Sequence, residues 1–236
     1  MKTMKIFTLL IAFLSVISLQ AQQEEEMKLL FNKKDKPAKE KQKIDNGGYG
    51  SVSVGWTQID SKNAMVIGAR AAWVANHYFA LGLAGRGFFN NFDNQQYYDG
   101  SYDPNYDANY SLSGGYGGLL LEPIIAPMSP VHVSFPITIG AGGVATTPAY
   151  WDKYYYSYNS YYYNSTAFFL LEPGVDVEFN ITKFFRLAIG GSYRYTSNIY
   201  LQHKYLNDQD ETVYYNIPKD ALRGFNVDIS LKFGWF

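Results

Sequence analysis

Three histidines, two glutamates fifty residues apart and a run of aspartates are the groups of this chain best placed by type to do chemistry. A serine hydrolase or acyltransferase needs a Ser–His–acid arrangement. His203 lies in a polar stretch with Asp208, Asp210 and Glu211, whereas His77 and His132 fall at short connections, and nothing in the spacing ties any of them to a serine. Glu122 and Glu172 could form an acid/base pair of carboxylates. Asp93, Asp99, Asp103 and Asp107 could offer oxygens to calcium, but they lack the compact Asp/Asn-Gly-Glu spacing of a calcium loop. Cysteine is absent, which excludes a disulfide scaffold, a thiol nucleophile and a cysteine-anchored lipoprotein. No glycine-rich phosphate loop opens a helix. The chain therefore reads as a non-enzyme with no cofactor. Its net charge of −1 makes no case for a nucleic-acid partner.

Two other sets of residues carry more information. One is a set of charges inside otherwise apolar stretches: Arg70, Arg86, Arg186, Arg194 and Lys232 against Glu122, Glu172, Asp176, Glu178 and Asp228, five of each sign. The other is tyrosine. Residues 97–110 repeat Tyr-Asp every four positions, and residues 150–163 hold eight tyrosines. Tyr98, Tyr102, Tyr106, Trp151, Tyr155, Tyr158 and Tyr162 are the candidate binding surface there, because tyrosine offers large contact area at small entropic cost. An extracellular glycan or protein would be the partner.

The elements that position these residues follow from hydrophobic periodicity. From Gly47 onward, period-2 alternation predicts eight strands at about 48–58, 63–75, 78–90, 113–126, 131–145, 167–179, 184–199 and 221–235. Asn76-His77, 127–130 and 180–183 are short connections, and 91–112, 146–166 and 200–220 are long polar ones. Only Ile59–Lys62 breaks the alternation of short and long. Turns at one rim and loops at the other describe an up-and-down barrel. Leu121-Glu122-Pro123 and Ile139-Gly140 recur fifty residues later as Leu171-Glu172-Pro173 and Ile189-Gly190, so one hairpin-sized unit is used twice. Pro123, Pro136 and Pro173 fall inside strands and predict bulges or rim positions, and the glycine pairs at 114–115, 142–143 and 190–191 predict curvature.

Three features set the polarity of this barrel. The ten charges all fall on the polar face of their strands, and equal numbers of each sign suit a narrow interior where an unpaired charge is costly. Phe79 and Phe89, Phe169 and Phe179, Phe185 and Tyr195, and Phe225 and Trp235 are each ten residues apart on the apolar face. Ten residues at about 3.3 Å, tilted by about 40°, rise roughly 25 Å, the height of the apolar band between the aromatic girdles of a membrane barrel. The last strand, Val227–Trp235, alternates and closes on a terminal Phe236.

From about residue 48 the chain resembles the small eight-stranded outer-membrane barrels, the class of outer-membrane protein A-like and X-like proteins. The resemblance rests on the alternating strands and the aromatic chain end. Phe236 departs from it by falling out of phase with Phe233 and Trp235. It implies an all-β, eight-stranded antiparallel up-and-down transmembrane barrel in the outer membrane of a Gram-negative bacterium. Outer-membrane lipid and the barrel assembly machinery are then the implied partners.

The remaining residues fit this setting. Lys2 and Lys5 precede an apolar run from Ile6 to Ile17, too short to span a bilayer as a helix, so 1–21 reads as a signal peptide. Residues 22–47 form a charged periplasmic tail and 48–236 the barrel. The functional expectation is a structural or surface binding and adhesion protein with a largely plugged polar lumen. The alternatives are a narrow channel for small or apolar solutes, an accessory subunit of an envelope complex, and, further off, a lipid-A-modifying enzyme.

Overall fold

The last strand sets out the rule of the whole structure. In a computed structural model of the chain, which describes residues 46–90, 110–148, 164–206 and 212–236, Phe225 is 68% exposed and Trp235 80%, while Asn226, Asp228, Ser230 and Lys232 between them are buried. Successive side chains of a strand point to opposite faces. Here the apolar face is the outer one.

Eleven strands are formed: β1 (Asn46–Ile59), β2 (Lys62–Ala75), β3 (Phe79–Phe89), β4 (Tyr110–Ile125), β5 (Val131–Ser134), β6 (Ile137–Pro148), β7 (Ser165–Thr182), β8 (Phe185–Thr196), β9 (Gln202–Leu206), β10 (Thr212–Asn216) and β11 (Gly224–Trp235). Each neighbour in the ring pairs antiparallel with the next, β5 and β6 serve together as one strand between β4 and β7, and β11 closes on β1 from Gly48↔Trp235 to Thr57↔Asn226. The ring thus has eight strands and no open edge, as the sequence predicts. Closure gives every strand of the ring a partner on both sides, which removes the unpaired edges that invite aggregation.

The tight connections follow turn chemistry. Asp60 and Ser61 (φ 52° and 61°) and Asn76 and His77 (φ 49° and 65°) all take positive φ. Two consecutive positive φ values are what a type I′ turn requires, and Asp and Asn tolerate that region better than most residues. Asp60-Ser61 form a two-residue loop between paired Ile59 and Lys62, and Asn76-His77 lie in a three-residue loop between paired Ala75 and Phe79, closed by Tyr78 N to Ala75 O (3.2 Å).

The prolines fall where the ladder ends or is interrupted. Pro136 sits in a gap of the ladder between β5 and β6, yet both flanking strands keep one register with β4 and with β7. The chain spans the gap with single bonds: Phe135 N donates to Pro123 O (2.9 Å) and Gly174 N to Pro136 O (2.8 Å). Pro123 lies near the turn-side end of β4, opposite Phe79 at the start of β3, and Pro173 is opposite Ile137. The register of β7 against β8 shifts between Asn180 and Thr182, away from all three prolines, while the same ladder skips Glu172 and Pro173. The three prolines therefore gather in one patch of three adjacent strands, so the lost donors fall together. Glycine permits close strand approach nearby. A Cβ on Gly118 or Gly140 would run into the backbone of the partner strand, so β4 and β6 approach closely there only because both positions are bare.

A second departure concerns the connection read as a long polar loop at 200–220. It holds the β9–β10 hairpin, and it sends Ile199, Leu201, Ile217, Ala221 and Leu222 back into the barrel mouth. They pack with Ile59, Phe88, Leu112, Tyr116, Val144, Phe168 and Leu170. The loop-side part of the interior thus holds an apolar core; the charges fill the space below it, and a smaller apolar cluster of Tyr49, Val74, Ala80 and Phe236 lies toward the turn-side rim. The inner face of β7 records the change, passing from Phe168 and Leu170 to Glu172, Asp176 and Glu178.

Candidate functional site

Below the apolar plug, the interior is filled by ions. All ten charged residues singled out from the sequence point inward and are buried. Their strands explain this. Each lies in phase with the inward residues of its own strand, as Asp228 and Lys232 do with Asn226 and Ser230.

Toward the turn-side rim, Lys232 is the centre. Its Nζ donates to Glu122 Oε1 (2.5 Å) and Glu178 Oε1 (2.6 Å) and lies 4.0 Å from Asp176 Oδ2. The three carboxylates stand close enough to one another to hold a metal ion, but the ammonium occupies the position between them. Arg70 Nη1 donates to Asp176 Oδ2 at 2.7 Å, and Arg186 Nη1 lies 3.4 Å from Glu178 Oε2. Lys232, Arg70 and Arg186 thus face Glu122, Asp176 and Glu178, three charges against three. Burial of ions is expensive unless each is paired and hydrogen-bonded. Here the pairing is supplemented by Tyr49 Oη, which donates to Glu122 Oε2, and by Ser134 Oγ, which donates to Glu178 Oε1.

The second group lies nearer the plug. Arg86 Nη1 donates to Asp228 Oδ2 (2.6 Å), and its Nε is 3.5 Å from Glu172 Oε1. Glu172 also accepts from Ser192 Oγ (2.6 Å) and Asn226 Nδ2 (3.1 Å). Arg194 is held by neutral oxygens instead: Leu222 O (2.6 Å) from Nε and Asn226 Oδ1 (3.1 Å) from Nη1. Its guanidinium therefore fastens the plug segment to the ionic layer. Glu122 and Glu172 bind different cations, which removes them as an acid/base pair.

Several residues of this network were not singled out from the sequence. Tyr49, Ser134, Ser192 and Asn226 lie in the inward phase of β1, β5, β8 and β11, and extending that phase beyond the charges would have found them. His132 is a buried neighbour of Glu178, its Nε2 lying 3.2 Å from Glu178 Oε2 and 3.2 Å from Arg186 Nη1. The nitrogen can donate to the carboxylate or accept from the guanidinium, and the tautomer selects which. Phe236 turns inward, in keeping with its phase. Its ring stacks on Tyr49 with centroids 5.9 Å apart.

The outer surface is the complement. Val52, Val54, Ile67, Leu83, Ile139, Val175, Ile189, Val227 and Ile229 form an exposed apolar band around the ring. Trp73 and Trp235 both pair with Gly48 from opposite sides and so share one level at the turn-side rim. At the other rim Tyr193 packs on Tyr195 and Phe225, with centroids 4.4 and 4.7 Å apart. No helix among the described residues is long and apolar enough to cross a membrane. The tyrosine-rich surface of Tyr98, Tyr102, Tyr106, Trp151, Tyr155, Tyr158 and Tyr162 lies outside the described residues, as do 1–45.

No family model matches the chain, and no curated protein matches it. Solved structures do share its shape. Neisserial surface protein A is 10% identical with a TM-score of 0.47, covering 80% of this chain and 96% of that one. A major outer membrane protein from Thermus thermophilus is 12% identical with a TM-score of 0.44, covering 81% of this chain and all (100%) of that one. The attachment invasion locus protein of Yersinia pestis is 10% identical with a TM-score of 0.41, covering 81% and 100%. These are likenesses of fold. The eight-strand ring itself stands on the strand pairing of this chain.

Proposed function

We propose that this chain is a non-enzymatic outer-membrane barrel, closed to general diffusion, that acts as a structural or surface binding protein. One observation carries the reading: large apolar side chains face outward all round a closed ring, while nine of the ten charges inside it are ion-paired and the tenth, Arg194, is hydrogen-bonded to neutral oxygens. In water such a surface would far exceed the apolar patches a soluble monomer tolerates. In lipid it is the ordinary surface of a β-barrel. The first and last strands of the ring meet at the turn-side rim, where Gly48 pairs with Trp235. That rim faces the periplasm together with the 22–47 tail, and the long connections face outward.

Closure of the lumen follows from two barriers in series, the ion-paired layer and the apolar plug. An eight-stranded barrel is only just wide enough for its own side chains. The tyrosines of 97–110 and 150–163 then supply the surface for an extracellular glycan or protein, and the barrel assembly machinery inserts the chain. The test is direct. The processed protein should need detergent and should migrate differently with and without boiling. Free solubility together with a single mobility would end this reading. In planar bilayers it should give no stable unitary openings, and such openings would replace the plugged barrel by the narrow channel.

A further inference from the structure

Charge is divided between the two rims of the barrel. The long connections carry the acids: 91–112 holds four aspartates and no lysine or arginine, and 200–220 holds four carboxylates against two lysines. The turn-side connections, 76–78, 126–130 and 183–184, hold no carboxylate, and Lys183 there is exposed. The interior has no spare anion for that rim, because Glu122, Glu172, Asp176, Glu178 and Asp228 each face a buried cation. Yet the stretch Lys33–Lys43, just ahead of β1, holds six lysines against Asp35 and Glu40. Its attachment point is fixed. Asn46, where β1 starts, pairs with Ala75, and two residues further on Gly48 lies between Trp73 and Trp235, both exposed on the outer face of the turn-side rim.

We propose that the lysines of 33–43 bind the anionic phospholipid headgroups of the leaflet around the turn-side rim. The inference rests on the outer-membrane reading above and adds a partner to it. Reach is the first argument. A chain spans at most about 3.6 Å per residue, so Lys43 lies within about 11 Å of Asn46 and Lys33 within about 47 Å. The leaflet encircles the rim, so the chain meets it in whatever direction it leaves β1. Charge is the second. A cluster of about four to eight basic residues beside a membrane-crossing element is drawn to anionic lipid, by about five-fold for each lysine near the surface. The turn-side connections present no carboxylate to compete for these lysines. Tethering is the third. The barrel holds the stretch at the surface, so lysine contact becomes an intramolecular event at high effective concentration. An anionic polymer beyond the membrane matches the charge but lacks this proximity.

The test uses the full chain in lipid nanodiscs. Cysteine is absent, so Ala38→Cys gives a single attachment point for a fluorophore, which nitroxide groups on the lipid heads quench on contact. Discs of phosphatidylcholine are compared with discs rich in phosphatidylglycerol. The ratio of quenched to unquenched label should be at least about ten-fold higher in the anionic discs. It should fall back in about 1 M salt, where the screening length is about 3 Å, and when the six lysines are changed to glutamine. Equal quenching in the two discs, or quenching that survives the six changes, overturns the proposal. The ring's pairing starts at Asn46, so the changes lie outside it and the unboiled mobility should be unaltered. Should that mobility change, the wild-type comparison between discs decides. Lysine-dependent co-sedimentation with purified peptidoglycan, with no response to phosphatidylglycerol, would assign the stretch to a polymer and refute the lipid contact. A barrel that needs detergent but shows no lipid preference refutes this contact alone. A chain soluble without detergent refutes the outer-membrane reading beneath it.

Discussion

The guanidinium of Arg186 lies over the ring of Phe236, with Cζ 3.8 Å from the ring centroid. The last residue of the chain is thus a cover for a buried cation. Trp235, its neighbour, faces outward instead. Phe236→Ala should therefore cost about 3–5 kcal/mol as a buried aromatic truncation. Trp235→Ala removes only an outward girdle ring and should cost clearly less. The temperature at which the folded band disappears on unboiled gels ranks the two.

Lys232→Met tests the ionic layer. It leaves Glu122, Glu178 and Asp176 without the cation between them, and breaking a buried pair in this way costs about 3–5 kcal/mol. Adding Glu122→Gln removes one orphaned charge and should recover part of the loss. Urea unfolding in detergent, followed by tryptophan fluorescence, measures both. No recovery in the double variant would mean the two residues are not energetically coupled.

The outer face gives the sharpest contrast. Ile229→Arg places a charge in the apolar band and should destabilise the lipid-embedded barrel by about 2–4 kcal/mol. Had water been the solvent, the same change at a half-exposed position would be nearly neutral. Folding yield into lipid vesicles distinguishes the outcomes.

The plug and the ionic layer act in series. Leu222→Ala with Ile217→Ala loosens the mouth but leaves the ion pairs below it intact. This variant should remain electrically silent in planar bilayers. Stable openings would locate the whole barrier in the plug.

Shortening 97–110 and 150–163 together should abolish attachment of cells or glycans to the protein while leaving its heat-modifiable mobility unchanged. Undiminished attachment would exclude these segments as the binding surface.

Much of this architecture can be read from alternation alone. Period 2 places Asp228 and Lys232 opposite Val227 and Leu231 whatever the barrel does, and the turn residues Asn76-His77 mark their own conformation. Alternation names a face but not a depth. Leu112, Tyr116 and Phe168 share the inward phase with the charges, yet they lie where Ile199, Leu201, Ile217, Ala221 and Leu222 fill the mouth with apolar atoms. That packing depends on a contact between Leu222 and residues far away in sequence, which no local pattern encodes. His132 was hidden for a related reason. It lies beside a short connection, and the pairing of β5 with β7, a long-range contact, sets it directly opposite Glu178.

The pairing of β1 with β11 has a consequence for biogenesis. Gly48 and Trp235 stand near opposite ends of the described polypeptide and become neighbours only when the ring shuts. A nascent chain lacking its final dozen residues would carry two sticky, unsatisfied margins and no enclosed interior in which Glu122 or Glu178 could meet Lys232. The ring therefore shuts only once β11 is available to pair with both β1 and β8. A rearranged gene that stitched the old termini together and opened the chain at Asp60-Ser61 should still yield the same cylinder.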